Sequence, residues 1–267
     1  YKVGISFHYS GIEFTRLYEK AMRDTFDKLG ISVVTVTDSQ FDATLQLTQL
    51  EGMRLQQLDA VISLPGDGEI TSSKYKEVAG TTKLIFISGL PQGLSSEDYS
   101  SIVSVNEHQN GRNAGKILGD YFKGQENVKI GLIKQGSPHF IARQRDFAAE
   151  QVLADGYPNI EIVAQDNFYR VDNAYAVAKA MMQQHPEIQG LYISWDDAAY
   201  NVIKALEDLG RTDVSISTAD LDYRTASYMA KGQMVRGVAA QRPYEQGEAA
   251  ALDTANALLG KTQYKCI

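Results

Sequence analysis

Short apolar runs alternate with stretches of helical period along this chain, and that alternation constrains the fold more than any other feature. It is plainest between Gly190 and Gln241. There LYISWDD, VSISTADLD and VRGVAAQRPY are runs rich in Val, Ile, Tyr or Ala, each closing on polar or aromatic residues. Strands alternating with helices predict parallel βαβ units. Ligands of such sheets sit outside the carboxyl ends of the strands. Trp195 with Asp196, Asp220, and Gln241 with Arg242 therefore mark one candidate edge.

The same rhythm runs through the first half. Apolar runs at 2–7, 32–37, 59–64, 84–88 and 101–105 are predicted strands, with helices expected over 14–29, 42–57 and 71–79. A helix over 107–123 then restarts the pattern, followed by strands at 128–133 and 160–164 and helices over 137–153 and 171–184. Gly30, Gly210 and Gly260 stand where helices should stop. Ala199, Val202, Ile203, Leu206 and Leu209 form the cleanest amphipathic stripe. The expectation is an α/β chain of two similar doubly wound halves.

Several function classes lack their signatures. A net charge of −7 and pI near 5.2 argue against a general nucleic-acid or anionic-membrane binder. No run approaches the ~18–20 apolar residues of a membrane span. The single cysteine, Cys266, excludes an internal disulfide or a multi-cysteine metal cluster. The first residue is Tyr1 and a strand follows at once, so the expectation is that an upstream signal or anchor has been removed. The first strand exits into SFHYSGIEF, which is neither a P-loop nor a dinucleotide fingerprint. PGDGE at 65–69 reads as a plain turn, and no G-x-S-x-G elbow occurs. His8, His108, His139 and His185 show no metal-ligand spacing. No cofactor, metal or catalysis is expected.

Individual residues carry two readings each. Trp195 is either core or a face for stacking a ligand. Asp196 and Asp197 suit the first turn of the following helix. Asp222 is better placed to cap, which leaves Asp220 facing the ligand. Arg143 and Arg145 lie near a helix start, either on the surface or buried, where a guanidinium fork can hold adjacent hydroxyls. Phe14 is core or stacking face. His8, at a strand's carboxyl end, lines the site or simply ends the strand.

The segments FTRLYEKAMRDTFDKLGISVVTVTDSQ, VSVNEHQNGRNAGKILGDYF, IARQRDFAAE, HPEIQGLYISWDD, STADLD and AAQRPYEQG occur in an order and spacing that resemble a known family. The chain is similar to the type I periplasmic sugar-binding proteins, the ribose- and galactose-binding group that serves ABC transporters. The resemblance implies two parallel-sheet lobes joined by a hinge: 1–105 with 242–264, and 106–241 with 265–267. It implies crossings near Val105–Asn106, near Gln241–Arg242 and near the C-terminus. By the same resemblance Phe14 packs on the sugar and Arg143, in the A-R-x-R segment, binds its oxygens. Tyr169 supplies an aromatic, Asp220 a carboxylate and Gln241 a hinge glutamine. Trp195 stands where ribose binders often carry Asn, and Ser88–Gly89 where the family often has an acid followed by Arg. His8, Tyr9 and Ser10 offer hydrogen bonds in their place, and Asn106 completes the ligand set.

What this implies is an extracytoplasmic protein, periplasmic or otherwise secreted or lipid-anchored, that closes on a sugar or sugar alcohol and delivers it to a membrane permease. A chemoreceptor is a further partner, nucleic acid is not, and the protein is expected as a monomer. The departures at Ser88–Gly89 and Trp195 point to a deoxysugar or sugar alcohol over ribose or glucose. The alternative is the effector-sensing core of a LacI-type repressor lacking its DNA-binding domain, which shares the fold.

Overall fold

A computed structural model describes residues 1–66, 68–136, 140–261 and 264–267 of the 267. In chain order the elements are β1 (Lys2–Phe7), α1 (Glu13–Leu29), β2 (Ser32–Asp38), α2 (Ala43–Leu55), β3 (Ala60–Leu64), α3 (Gly68–Ala79), β4 (Lys83–Ile87) and β5 (Ser101–Val103). After them come α4 (Glu107–Tyr121), β6 (Val128–Gln135), α5 (Phe140–Gly156), β7 (Ile160–Phe168), α6 (Asn173–Gln184) and β8 (Gly190–Ile193). The chain finishes with α7 (Asp196–Asp208), β9 (Ser215–Ala219), α8 (Tyr223–Ala230), β10 (Val235–Ala239) and α9 (Pro243–Leu258). Asp67, within the predicted turn, and His139, within a predicted helix start at 137–139, lie outside the described residues.

The chain divides into two units, Tyr1–Val105 with Arg242–Ile267, and Asn106–Gln241. The first is a parallel five-stranded sheet ordered β2-β1-β3-β4-β5. From β1 the chain moves outward to β2, then crosses back to β3, so the direction switches between β1 and β3. β1, β3 and β4 are apolar and almost wholly buried, as strands covered on both faces must be. β2, at the edge, is half exposed. One face packs Val3, Ile5 and Phe7 against Tyr18, Met22 and Phe26 of α1, with Ala250 and Ala251 of α9 beside them. α9 lies so close to α1 that a Cβ on Gly247 would stand 2.4 Å from the Tyr18 carbonyl oxygen.

The second unit repeats the plan in the order β10-β9-β8-β6-β7, with its switch between β6 and β8. β7 runs four residues beyond the predicted 160–164, because Gln165, Asp166 and Asn167 pair with β6 while their side chains face outward from an edge strand.

The end of the chain corrects the expected boundary. Residues 265–267 belong to the first unit: the Ile102 N–H donates to the Lys265 carbonyl, the Ile267 N–H to that of Ile102, and the Ser104 N–H to that of Ile267. Cys266 thereby forms a parallel bridge with Ile102 beside β5. Among the described residues no helix is long and apolar enough to cross a membrane.

Candidate functional site

The carboxyl ends of β6, β8, β9 and β10 lead into the residues that surround Arg145 of the second unit. α5 turns Ala142, Arg145, Asp146, Ala149, Val152 and Leu153 inward, the i, i+3, i+4 spacing of one helix face. It rides close on α4: a Cβ on Gly111 would stand 2.0 Å from the Arg145 carbonyl oxygen. That approach delivers the Arg145 guanidinium, 4% exposed, to the first turn of α4.

Arg145 Nε donates to Glu107 Oε2 at 2.9 Å, and Nη2 pairs with the same oxygen at 2.7 Å. Nη1 donates to Asp220 Oδ2 at 3.0 Å and to the Ser194 carbonyl at 3.1 Å, and Nη2 reaches Asp220 Oδ1 at 3.4 Å. Gln241 Nε2 donates to Asp220 Oδ1 at 2.6 Å and to Glu107 Oε1 at 3.3 Å. Burial by itself would push the guanidinium's pKa down. The Asp220 and Glu107 carboxylates outweigh it and hold the group well above its ordinary value, so Arg145 is charged at any working pH.

Beneath this cluster Asp146 ties two strand ends together. It accepts from Ser194 Oγ at 2.5 Å, from the Tyr192 hydroxyl at 2.8 Å and from the Gln135 N–H at 3.1 Å. Burial pushes its carboxyl up against the pull of those donors. Beside it, burial pushes Asp196 well up, and the neighbouring carboxylates of Asp220, Asp197 and Asp222 push the same way. Arg224 bridges Asp197 and Asp222, and Asp222 caps α8 by accepting from the Thr225 N–H at 2.7 Å.

In the first unit the ends of β1 and β3 are locked by side chains. The Gln46 amide donates to the Leu64 carbonyl at 3.0 Å and accepts from the Gly66 N–H at 2.9 Å. His8 is buried, with Ser39 Oγ donating to its carbonyl at 3.1 Å. Tyr9 stacks on Phe41, ring centroids 4.3 Å apart.

Backbone conformation singles out the same edges. Six described non-glycine residues have positive φ, and four of them follow strand ends: Gln40 (52°) and Phe41 (67°) after β2, Ser88 (61°) after β4 and Asp220 (63°) after β9. Each such position costs about 1–3 kcal/mol, and strain of this kind gathers at ligand sites.

The structure brings Arg145, not Arg143, to Asp220. Arg143 is exposed, because two residues along a helix turns a side chain to the other face. Asp220 and Gln241 stand together with it. Trp195 is 9% exposed, edge-on to Phe168 at 5.0 Å within the core, its indole N–H unpaired. Asn106 is an α4 cap, its side chain accepting from the Gln109 N–H at 2.8 Å. Tyr169 is 61% exposed at the end of β7. Phe14 is half-buried, tilted on Tyr18 at 5.9 Å. Ser88 is buried, its N–H donating to the Val103 carbonyl at 2.8 Å and its own carbonyl accepting from Ser104 Oγ at 2.9 Å. Sequence reasoning missed Glu107 and Asp146. Glu107 reads as an ordinary first-turn acid, whereas Asp146 shares the inward phase of α5 and was legible there.

A family model described as periplasmic binding protein domain matches residues 3–262. The chain belongs to that family. The ribose import binding protein of Escherichia coli is 25% identical over 205 residues, which are 76% of this chain and 66% of that protein, just under two thirds of its length. The ribose import binding protein of Bacillus subtilis is 22% identical across the whole chain and 85% of its own length. Among solved structures, a carbohydrate transporter solute-binding protein from Agrobacterium radiobacter in complex with D-arabinose superposes with a TM-score of 0.90 at 18% identity, covering all of this chain and 91% of that one. The arabinose-binding component of a Shewanella sp. ANA-3 ABC transporter gives the same TM-score at 20% identity, over 100% and 89%. At these identities the likeness is one of fold. Among the described residues no group of three His, Cys, Asp or Glu side chains is placed to hold a metal ion.

Proposed function

We propose that this protein is an extracytoplasmic solute-binding protein that captures a sugar or sugar alcohol and passes it, unchanged, to the permease of an ABC transporter. The observation that carries the reading is the buried fork of Arg145 held against Asp220 and Gln241 at the carboxyl edge of a sheet, in a member of this family. Asp220 and Gln241, held in place by the buried Arg145, set a carboxylate beside an amide, which match the donors and acceptors of adjacent hydroxyls. Buried polar groups left unpaired by the wrong isomer cost ~1–3 kcal/mol each, which is how such a site discriminates. The matched relatives are import proteins, which favours transport over a repressor core.

In this reading Phe14 and Tyr169 cover C–H surfaces, and His8, Tyr9 and Ser88 supply polar contacts from the first unit. A deoxysugar or sugar alcohol is the favoured ligand, because Ser88–Gly89 carries no charged pair to grip ring hydroxyls. The protein works as a monomer in the periplasm or on the outer face of a membrane, and the permease reads the ligand-bound form; a chemoreceptor reading that form is a further partner.

Calorimetry with D-ribose, L-arabinose, D-galactose, 2-deoxy-D-ribose, xylitol and D-arabinitol tests this. At least one should bind, 2-deoxy-D-ribose or an alditol most tightly. Asp220→Ala should weaken binding by roughly ten- to a hundredfold, the loss of about 1.5–3 kcal/mol for a charge-assisted bond. Mass spectrometry after long incubation should return the ligand intact. No binding across the panel, or full affinity in Asp220→Ala, refutes the reading.

A further inference from the structure

The first unit has an aromatic surface on the turn after β2, where Phe41 stacks on Tyr9. Phe41 lies in left-handed backbone at φ 67°, directly after Gln40 at 52°. Two successive left-handed residues are what Gly and Asn adopt cheaply, and an aromatic side chain adopts at a cost. The surroundings hold the turn in place. The Phe41 N–H donates to the His8 carbonyl at 2.9 Å, that of Asp42 to Ser39 at 2.8 Å, and that of Gln40 to Asp38 Oδ1 at 2.8 Å. The reward within the unit is small, for the ring is only half-buried. Its ring contacts among the described residues are the stack on Tyr9, with 23° between ring planes, and His8 at 5.1 Å. A strained, half-exposed aromatic at a strand's carboxyl end, held by several hydrogen bonds, points to function more than to packing.

The polar neighbours say what such a surface takes. Asp38 Oδ2 accepts from the Ser10 hydroxyl at 2.7 Å, so a carboxylate and a hydroxyl stand on the same loops as the stacked rings. An apolar ring face bordered by acceptors suits a molecule with C–H groups on one side and hydroxyls at its rim.

We infer that Phe41, backed by Tyr9, is a specificity-determining ligand contact that covers the C–H face of the bound sugar or sugar alcohol, with Asp38 and Ser10 taking hydroxyls at its border. The inference rests on the sugar-binding reading and adds a loop to it. A flat apolar face rewards a ligand that lacks a hydroxyl on that side, so Phe41 raises selectivity for deoxy over fully hydroxylated ligands.

The test uses the full chain as the native protein, Phe41→Gly and Phe41→Ala, titrated calorimetrically with the same six compounds, alongside thermal melts. Gly suits the left-handed turn, so Phe41→Gly should melt within a few degrees of native. Both variants should bind the preferred compound about five- to tenfold more weakly, and the preference for 2-deoxy-D-ribose over D-ribose should narrow. Affinity within twofold of native in both variants overturns the inference while leaving the sugar-binding reading intact. Loss of affinity accompanied by a large drop in the melting temperature of Phe41→Gly overturns it too, since Phe41 would then be structural. Failure of the native protein to bind any of the six overturns the reading, and this inference with it.

Discussion

Replacing Arg145 with Met would show how much of the second unit hangs on one cation. Arg145 is 4% exposed, and the side chains it pairs with, Glu107 and Asp220, are 5% and 9% exposed. Methionine fills similar volume but strands two carboxylates, leaving them the neutral amides of Gln241 and, for Glu107, Asn110 in place of a cation. Removing one partner from a buried ion pair typically costs about 3–5 kcal/mol, mostly as the penalty of leaving the other charge uncompensated. The loss of the bond to the Ser194 carbonyl adds about 1 kcal/mol. At roughly 2–4 °C per kcal/mol for a chain segment of this size, the second unit should melt some 8–24 °C lower. The charges are out of reach of solvent ions, so the deficit should be nearly the same in 0.1 M and 1 M salt. A second replacement separates stranded charge from lost packing. Glu107→Gln in the Arg145→Met background removes one orphaned carboxylate and should restore part of the loss, although Glu107→Gln alone is destabilising. Thermal and urea melts followed by circular dichroism give all four corners of the cycle. A deficit below 1 kcal/mol for Arg145→Met, or no rescue by the second change, would refute the placement of Arg145 as the shared counter-ion.

Asp196 predicts a pH dependence. Burial and the carboxylates around it raise its folded pKa above the unfolded value, so the folded state binds the proton more tightly. Its favourable contribution is therefore complete below the unfolded pKa and is lost as pH rises through the raised folded value. Asp196→Asn, which never ionises, should gain stability relative to native as pH rises; a constant difference from pH 4 to 9 in urea melts would contradict it. Trp195, the sole tryptophan, is packed edge-on to Phe168 in the second unit's core. Its emission should be blue-shifted, poorly quenched by acrylamide, and should turn red only when that unit unfolds; strong quenching in the native protein would show that the ring is open to solvent.

The strands were legible because each central one is buried on both faces and so reads as a mostly apolar run, as KVGISF and DAVISL do despite Ser6 and Ser63. The edge strand β7 was legible only in part, since its second half is polar and is held by its pairing with β6. Asp220 was identified by arguing that Asp222 takes the cap, and Asp222 does accept from the Thr225 N–H. Helical phase separates Arg143, which is exposed, from Arg145, which is buried. Ala142, Ala149, Val152 and Leu153 place the inward stripe on 145 and 146, whereas the family resemblance had directed attention to 143. Trp195 and Asn106 sit at the expected ends of elements, yet one is packed into the core and the other spends its carboxamide oxygen on a helix cap. Phe41 could not be found by pattern, because nothing in a local sequence announces an aromatic residue in left-handed backbone.

The two units are unequal in the order in which they can be finished. Residues 106–241 are contiguous, so every strand and helix of the second unit has been synthesised once Gln241 emerges. The first unit takes in β1 to β5 but needs α9, which follows the whole of the second unit, to cover α1: Gly247 seats on Tyr18, and Asp253 accepts from the buried Ser101 hydroxyl of β5. Domains usually fold in the order of synthesis. Here the order inverts, and the half whose strands are made first keeps an apolar helix face open until α9 arrives to close it.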